Sequence, residues 1–419
     1  MLVTPRLNSL LLALMVLGGS MPGARADFLL RDGDTVVFLG DSITAARQYD
    51  RVVENYTLLR YPKRTVHFVN AGQGGDTMVG GLARLDRDVF DRGATVLFVA
   101  FGFNDIGWGL RANDEHKQKY LDSIRGIIER CEERKVRVFI CSAAITAEAP
   151  DKAEAGYFQK MCDEGLELAR SLGAGTVDVQ RGMRQIQRRV IAFETVKDPK
   201  DRASLHVADG VHLNELGHLA MAFSILEEIG APADVSAASI DARDAKLLSA
   251  NGCAVTNLRN MEGALEFDRL DEGWPVNFGT FGALNFRFVP FHSELGRYML
   301  TVANLPAGKY DVLAGGRALG VFDAQSLAAG MNLCSATADG WEPGGPWDAA
   351  AAALKMVTDA RYEVAYVPVY QRHFMKEHPE LEKLQGDAQA LNAQLEAYQR
   401  QLAKPVNIHF LIRPAAKKE

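Results

Sequence analysis

The sequence predicts a three-layer, doubly wound α/β domain, followed by a small, mostly β module and a helical C-terminal region. Three observations predict it. Short Val/Ile/Phe runs recur through the first two hundred residues, helical patterns separate them, and motifs rich in Gly, Ser, Asn and Asp follow the runs directly. Continuous apolar runs suit strands buried on both faces of a parallel sheet. Strands separated by helices imply right-handed crossovers, with helices covering both faces.

The first segment, residues 1–26, has the pattern of a secretory signal peptide. Arg6 supplies a positive start, Leu10–Gly18 (LLLALMVLG) a short apolar stretch, and Ala24-Arg25-Ala26 a small-x-small cleavage site. The apolar run falls well short of the ~20 residues a membrane span requires. The expectation is cleavage after Ala26 and a secreted or periplasmic protein. No later stretch is long and apolar enough to span a bilayer.

Candidate strands then follow at Thr35–Leu39, Thr65–Val69, Thr95–Phe101, Val136–Cys141 and Thr176–Val179. Between the third and fourth, Tyr120, Leu121, Ile124, Ile127, Ile128 and Cys131 fall on one helical face. His67, inside the second run, reads as packed. A helix near Asn214–Ile229 closes the α/β domain, which is expected to span 27–232. Such a five-stranded, flavodoxin-like sheet of order 2-1-3-4-5 places its first strand at the switch point, where ligands bind outside the carboxyl edge.

Helical periodicity fades after Ile240. Asn285–Val289 and Tyr298–Val302 alternate like strands, and Val312–Ala314 with Arg317–Val321 flank a Gly-Gly turn. These features predict a β module over 240–335. From Trp347 the pattern is helical, giving a helical region over 345–412. Leu381, Leu384, Ala388, Leu391, Leu395, Tyr398 and Leu402 make a stripe of about three heptads, suited to packing against the preceding helix or the body of the protein.

Composition narrows the function. Of 419 residues, 47% are hydrophobic and 24% charged, and the net charge is −6. That is a globular chain without the basic footprint of a nucleic-acid binder. The five cysteines form no CxxC pair, so neither a zinc ribbon nor a thioredoxin motif is present. Their odd number leaves at least one unpaired within the chain, and Cys141, in a strand run, reads as a buried free thiol.

Four motifs carry chemistry. Gly40-Asp41-Ser42-Ile43-Thr44 follows the first strand and lifts a serine to the sheet edge; taken alone, it equally reads as a helix N-cap. Asn70–Thr77 (NAGQGGDT) follows the second strand with glycines that free backbone N–H groups for an anion, though it lacks the last glycine of a dinucleotide loop. Gly102-Phe103-Asn104-Asp105 follows the third and offers an amide donor, or a plain turn. Asp209-Gly210-Val211-His212 precedes the last helix; its carboxylate can hold imidazole Nδ1–H and leave Nε2 as a base. His206, Asp209 and His212, with His218 nearby, form an alternative metal-ligand set that leaves Ser42 and Asn104 without a role. Sheet order would bring Ser42, Gly75 and Asn104 to one crevice.

Together these motifs, in this order across Asp34–Ile229, resemble the SGNH (GDSL-type) hydrolase family. Ile43 replaces the name-giving Leu, and Phe103 stands where a smaller residue is frequent. The resemblance implies Ser42 as nucleophile, His212 as base and Asp209 as its orienting carboxylate. It implies an oxyanion hole from the Ser42 and Gly75 N–H groups and the Asn104 amide, with no metal or cofactor. Trp108 and Asp41 are candidate substrate-binding residues. Trp108 is read with equal weight as a face for a sugar ring or as a packed loop residue. The substrate expected is an ester, first an acetylated glycan. Lipase or thioesterase action on longer chains, and a non-catalytic glycan-binding or assembly role, are the alternatives. Oligomeric state is not legible.

Overall fold

The computed structural model describes residues 28–198, 201–261, 263–277 and 284–416. The expected signal peptide lies outside them. The first five strands, β1 (Thr35–Gly40), β2 (His67–Gly72), β3 (Val96–Ala100), β4 (Arg137–Cys141) and β5 (Gly175–Val177), form one sheet of order β2-β1-β3-β4-β5. Every pairing in it is parallel. This is the doubly wound, flavodoxin-like α/β fold.

Alternation along the strands feeds two cores. Val36, Phe38, Val96 and Phe98 point to one face, and Val37, Leu39, Leu97 and Val99 to the other. The first face is covered by α2 (Tyr49–Arg60), which follows the short α1 (Ser42–Ala45), together with α6 (Val179–Phe193) and α7 (Glu215–Glu228). The second is covered by α3 (Met78–Ala83), α4 (Asp114–Glu133) and α5 (Tyr157–Ser171). Helix α7 is apolar around most of its circumference, with Leu216 to Leu226 buried without a break. That suits its position between the sheet and the β module, where Phe223 meets Phe291 at 6.1 Å.

The remaining strands are β6 (Asp234–Asp241), β7 (Lys246–Asn251), β8 (Cys253–Met261), β9 (Ala264–Asp271), β10 (Arg297–Ala303), β11 (Lys309–Ala314), β12 (Arg317–Asp323), β13 (Met331–Asn332) and β14 (Ile408–Pro414). They make two sheets, of orders β13-β10-β6-β7 and β12-β11-β14-β9-β8. Phe267 and Phe410 stack at 5.0 Å in their common core, and Trp347 sits edge-on to Tyr298 at 4.7 Å. Arg269 is fully buried there. Its charge is met by Asp271 at 2.9 Å, and Ser236 Oγ accepts a further bond at 2.8 Å.

Helices α8 (Pro346–Phe374) and α9 (Leu381–Leu402) pack against each other and return the chain to the α/β domain. Their docking is polar. Arg361 pairs with Glu54, Gln399 donates to Glu54 at 2.8 Å, and Thr358 donates to Asn55 at 2.6 Å, all buried. Arg51 binds Glu363 at 2.6 Å and Asp359 at 3.2 Å. Among the described residues no helix is long and apolar enough to cross a membrane.

Four expectations are corrected. Asn285–Val289 is not a strand: Leu284–Arg287 is a 3₁₀ turn, which lets Phe288 and Val289 be buried together. The C-terminal region is helical only to Leu402; Ile408–Pro414 is a strand inserted between β9 and β11. His67 is half-exposed rather than packed, and its Nδ1 meets Glu396 at 2.7 Å. The second strand starts at His67 and runs on through Asn70 to Gly72. All five cysteines, Cys141 among them, are free thiols.

Candidate active site

Strand β1 ends at Gly40, where a side chain could not fit: a Cβ would lie 2.1 Å from Thr44 Oγ1 and 2.8 Å from the Ala100 carbonyl. This closeness lets the chain turn straight from strand into α1. Asp41 caps that helix by accepting the Ile43 N–H at 2.9 Å, and Ser42 becomes its first residue. Asp41 is therefore buried and structural, not a surface carboxylate available to substrate. Burial pushes its carboxyl up to about 6, against the opposing pull of the Ile43 N–H.

His212 arrives from the loop before α7. Its Nε2 lies 2.9 Å from Ser42 Oγ, and its Nδ1 lies 2.6 Å from Asp209 Oδ2. The other oxygen of Asp209 accepts the N–H groups of Val211 (2.8 Å) and His212 (2.9 Å). The imidazole and these two N–H groups hold the Asp209 carboxyl down at about 2, so it is ionised across the neutral range. With Asp209 accepting at Nδ1, the neutral imidazole carries its proton there. Nε2 is then free to accept from Ser42. His206 and His218 do not join a cluster with this pair. His206 Nε2 meets the Ile145 carbonyl at 2.9 Å, and His218 is buried, with its ring parallel to Tyr49 at 6.4 Å.

The loop after β2 supplies N–H donors. Gly75 is exposed, adopts φ 75°, and has open space where a Cβ would stand. Among the described residues neither the Ser42 nor the Gly75 amide donates a hydrogen bond within the protein. Asn104, after β3, reaches the same loop: its Nδ2 donates to the Asp76 carbonyl at 2.9 Å, its one acceptor among the described residues, which leaves its second amide hydrogen for a ligand. The expected site residues Ser42, Asp209 and His212 thus form one hydrogen-bonded chain, and Asn104 joins the Gly75–Asp76 loop.

Sequence reading misses two supporting residues, Arg84 and Asp105, and one role of Trp108, which it singles out only as a face for substrate or a packed loop residue. Trp108 donates its indole N–H to Asn104 Oδ1 at 2.8 Å, which fixes which way the Asn104 amide faces. Its ring is also edge-on to His212 at 5.8 Å, and its backbone sits at φ 57°, a strained conformation for a bulky residue. Arg84 is buried and clamps the crevice from behind. It binds Asp76 at 2.7 Å, the Ala71 carbonyl at 2.7 Å and the Gly40 carbonyl at 3.0 Å. One side chain therefore ties the ends of β1 and β2 to the glycine loop, and nothing local in the sequence marks it. Asp105 is buried beside them and accepts the Met78 N–H at 2.9 Å, while its Oδ2 has no partner among the described residues. Burial pushes it up to about 7. Its place in the Gly-Phe-Asn-Asp motif was the available signal.

Residues 38–220 match the family model described as GDSL-like lipase/acylhydrolase. The α/β domain belongs to that family. This GDSL-type domain is, at that level of description, an ester hydrolase. No curated protein sequence matches the chain. Among solved structures, a gut microbial diltiazem-metabolizing enzyme superimposes with a TM-score of 0.78 at 21% identity, covering 92% of this chain and 98% of that one. The likeness therefore extends beyond the GDSL domain through the β module and the helices. An acetylxylan esterase from Geobacillus stearothermophilus matches with a TM-score of 0.40 at 20% identity, over 48% of this chain and 96% of its own. An α/β hydrolase from the metagenome of Lake Arreo, Spain, matches with a TM-score of 0.40 at 22% identity, over 48% and 98%.

Proposed function

We propose that the protein is an exported serine esterase that removes short acyl groups, acetyl foremost, from a glycan through an acyl-enzyme on Ser42. The observation that carries this reading is the hydrogen-bonded chain Ser42–His212–Asp209 at 2.9 and 2.6 Å. His212 takes the Ser42 proton as Oγ attacks the ester carbonyl. Asp209 stabilises the imidazolium that forms. The oxyanion accepts from the Ser42 and Gly75 N–H groups and from the Asn104 amide, the donors free to receive it. His212 then passes its proton to the departing alcohol, and water, activated by the same base, releases the acid from Ser42.

Support for a glycan comes from the surroundings of the pair. Trp108 is 48% exposed and presents an aromatic face beside His212. Aromatic faces with polar groups between them suit the C–H faces and hydroxyls of a sugar ring. Export rests on the N-terminal pattern alone.

The test is acetate release from a panel of acetylated glycans, with p-nitrophenyl acetate and a long-chain p-nitrophenyl ester run beside it and Ser42→Ala as control. The proposal expects turnover of the acetyl esters, lost in Ser42→Ala. A preference for the long-chain ester would favour a lipase or thioesterase. No turnover of any ester would return the protein to a binding or assembly role.

A further inference from the structure

A cavity of about 400 Å³ adjoins the catalytic pair, and Trp108, Gly210 and Val211, the neighbours of His212, form one of its walls. The wall is tied to the catalytic loop by the Ala147 N–H, which donates to the Gly210 carbonyl at 2.8 Å. Phe103, Tyr157 and Phe158 add aromatic surface, and Gln180 and Arg184 line the cavity as well. Both of these polar residues are 2% exposed.

Arg184 is unlike most other buried arginines of the chain. Arg84, Arg269 and Arg361 each pair with a carboxylate. Arg60 has only carbonyl acceptors among the described residues, but it does not line this cavity. Arg184 donates from Nη1 to the carbonyls of Thr146 (3.0 Å) and Glu148 (2.7 Å) and to Gln187 Oε1 (2.7 Å), all neutral oxygens. Among the described residues no carboxylate pairs with it. The Glu148 carboxylate is engaged by Lys152 at 2.7 Å, and Glu154 and Asp151 are engaged by Arg188. Among the described residues Arg184 Nε is buried without a partner, as are Gln180 Oε1 and the Tyr157 hydroxyl. Burial lowers the guanidinium to about 10, which leaves it charged at neutral pH. Such a cation, removed from water and bonded only to neutral oxygens, is costly, because Glu148 and Glu154 act on it from a distance while paired to Lys152 and Arg188. An incoming anion would offset that cost.

The position assigns the cavity to one side of the ester. His212 returns its proton to the leaving oxygen, so the alcohol departs past His212, whose neighbours are the cavity wall. We propose that this cavity holds the alcohol portion of the substrate and selects a ring bearing a carboxylate, with the ring against Trp108 and Phe158 and the carboxylate on Arg184. The assignment to the alcohol side rests on the esterase reading; the anion site itself does not.

Competition against p-nitrophenyl acetate hydrolysis tests it, using glucuronate, benzoate, their neutral amides glucuronamide and benzamide, and glucose. The expected result is competitive inhibition by a carboxylate with a Ki on the order of tenfold or more below that of its own amide. Whether glucuronate or benzoate is the stronger distinguishes a sugar acid from an aromatic acid. In Arg184→Gln the ratio of amide to carboxylate Ki should fall toward one, and a ratio still reports on a partly destabilised variant. If that variant does not fold, the comparison of carboxylate with amide on the wild type decides alone. Equal inhibition by carboxylates and amides, or no inhibition by either, overturns the proposal. If the wild type hydrolyses no ester, titration calorimetry of glucuronate against glucuronamide still decides the anion site, while the proposed function falls separately.

Discussion

Replacing Trp108 with Phe removes one hydrogen bond and keeps an aromatic ring beside His212. The bond lost is indole N–H to Asn104 Oδ1 at 2.8 Å. It is a neutral pair, and such bonds contribute about 0.5–1.5 kcal/mol net. If its whole effect is to hold the Asn104 amide toward the oxyanion, kcat should fall roughly two- to thirteenfold. KM should change little, because the aligned donor matters most when charge develops on the oxygen. The ceiling is set by Asn104→Ala, which removes the donor and should cost about 2.7–4 kcal/mol, or roughly 10²–10³ in kcat. The decisive assay is a double-mutant cycle on p-nitrophenyl acetate. Since Trp108 acts through Asn104, the double variant should be no slower than Asn104→Ala alone. Two penalties that multiply would refute the linkage and leave Trp108 as a wall residue only.

Gly72→Ala would place a Cβ 2.2 Å from the Ala45 amide nitrogen and 2.5 Å from the Thr44 carbonyl carbon, both in the backbone of α1. The turn carrying Ser42 must shift, so denaturant unfolding should show a loss of about 1–3 kcal/mol, with reduced ester turnover; unchanged stability and rate would contradict the close approach. Asp209→Asn should lower kcat/KM on p-nitrophenyl acetate on the order of ten- to a hundredfold. That is less than for a fully buried partner, because this carboxylate is 37% exposed and water can substitute for part of its role. Asp105, raised from 3.8 to about 7 by burial, keeps a proton in the native state that the unfolded chain has already released. Its contribution to stability therefore falls as pH rises from about 4 to about 7 and is level above. The Tm of Asp105→Asn minus that of the wild type should climb across that window; a difference independent of pH would refute the assignment.

Much of the α/β domain was legible because its strands carry their signal locally. β3 is an uninterrupted apolar run, β1 and β4 each contain one (Val36–Leu39 and Val138–Cys141), and the sheet they form has the expected order. β2 was displaced because polar Asn70 reads as the start of a loop, yet its backbone pairs with Phe38 in register. Alternation misled at Asn285–Val289, where burial of Phe288 and Val289 depends on distant partners rather than on strand pairing. β14 alternates cleanly, with Ile408, Phe410 and Ile412 buried, but its neighbours β9 and β11 lie far back in the chain. It follows a long helical stripe that carries the reader past it. In the site, Ser42, Asn104 and His212 were readable because each sits in a short motif at the carboxyl edge of the sheet or before the closing helix. Arg84 and Arg184 were not. Their roles lie wholly in contacts across the fold, and no spacing announces them.

The central claim is that Ser42 is the nucleophile. An alkyl fluorophosphonate, which phosphonylates an activated serine, tests it most directly when followed by intact-mass and peptide analysis. The account predicts one adduct per chain, on the peptide containing Ser42, formed in step with loss of ester hydrolysis and absent in Ser42→Ala. Full hydrolysis by Ser42→Ala, or inactivation with the label on another residue, would contradict it.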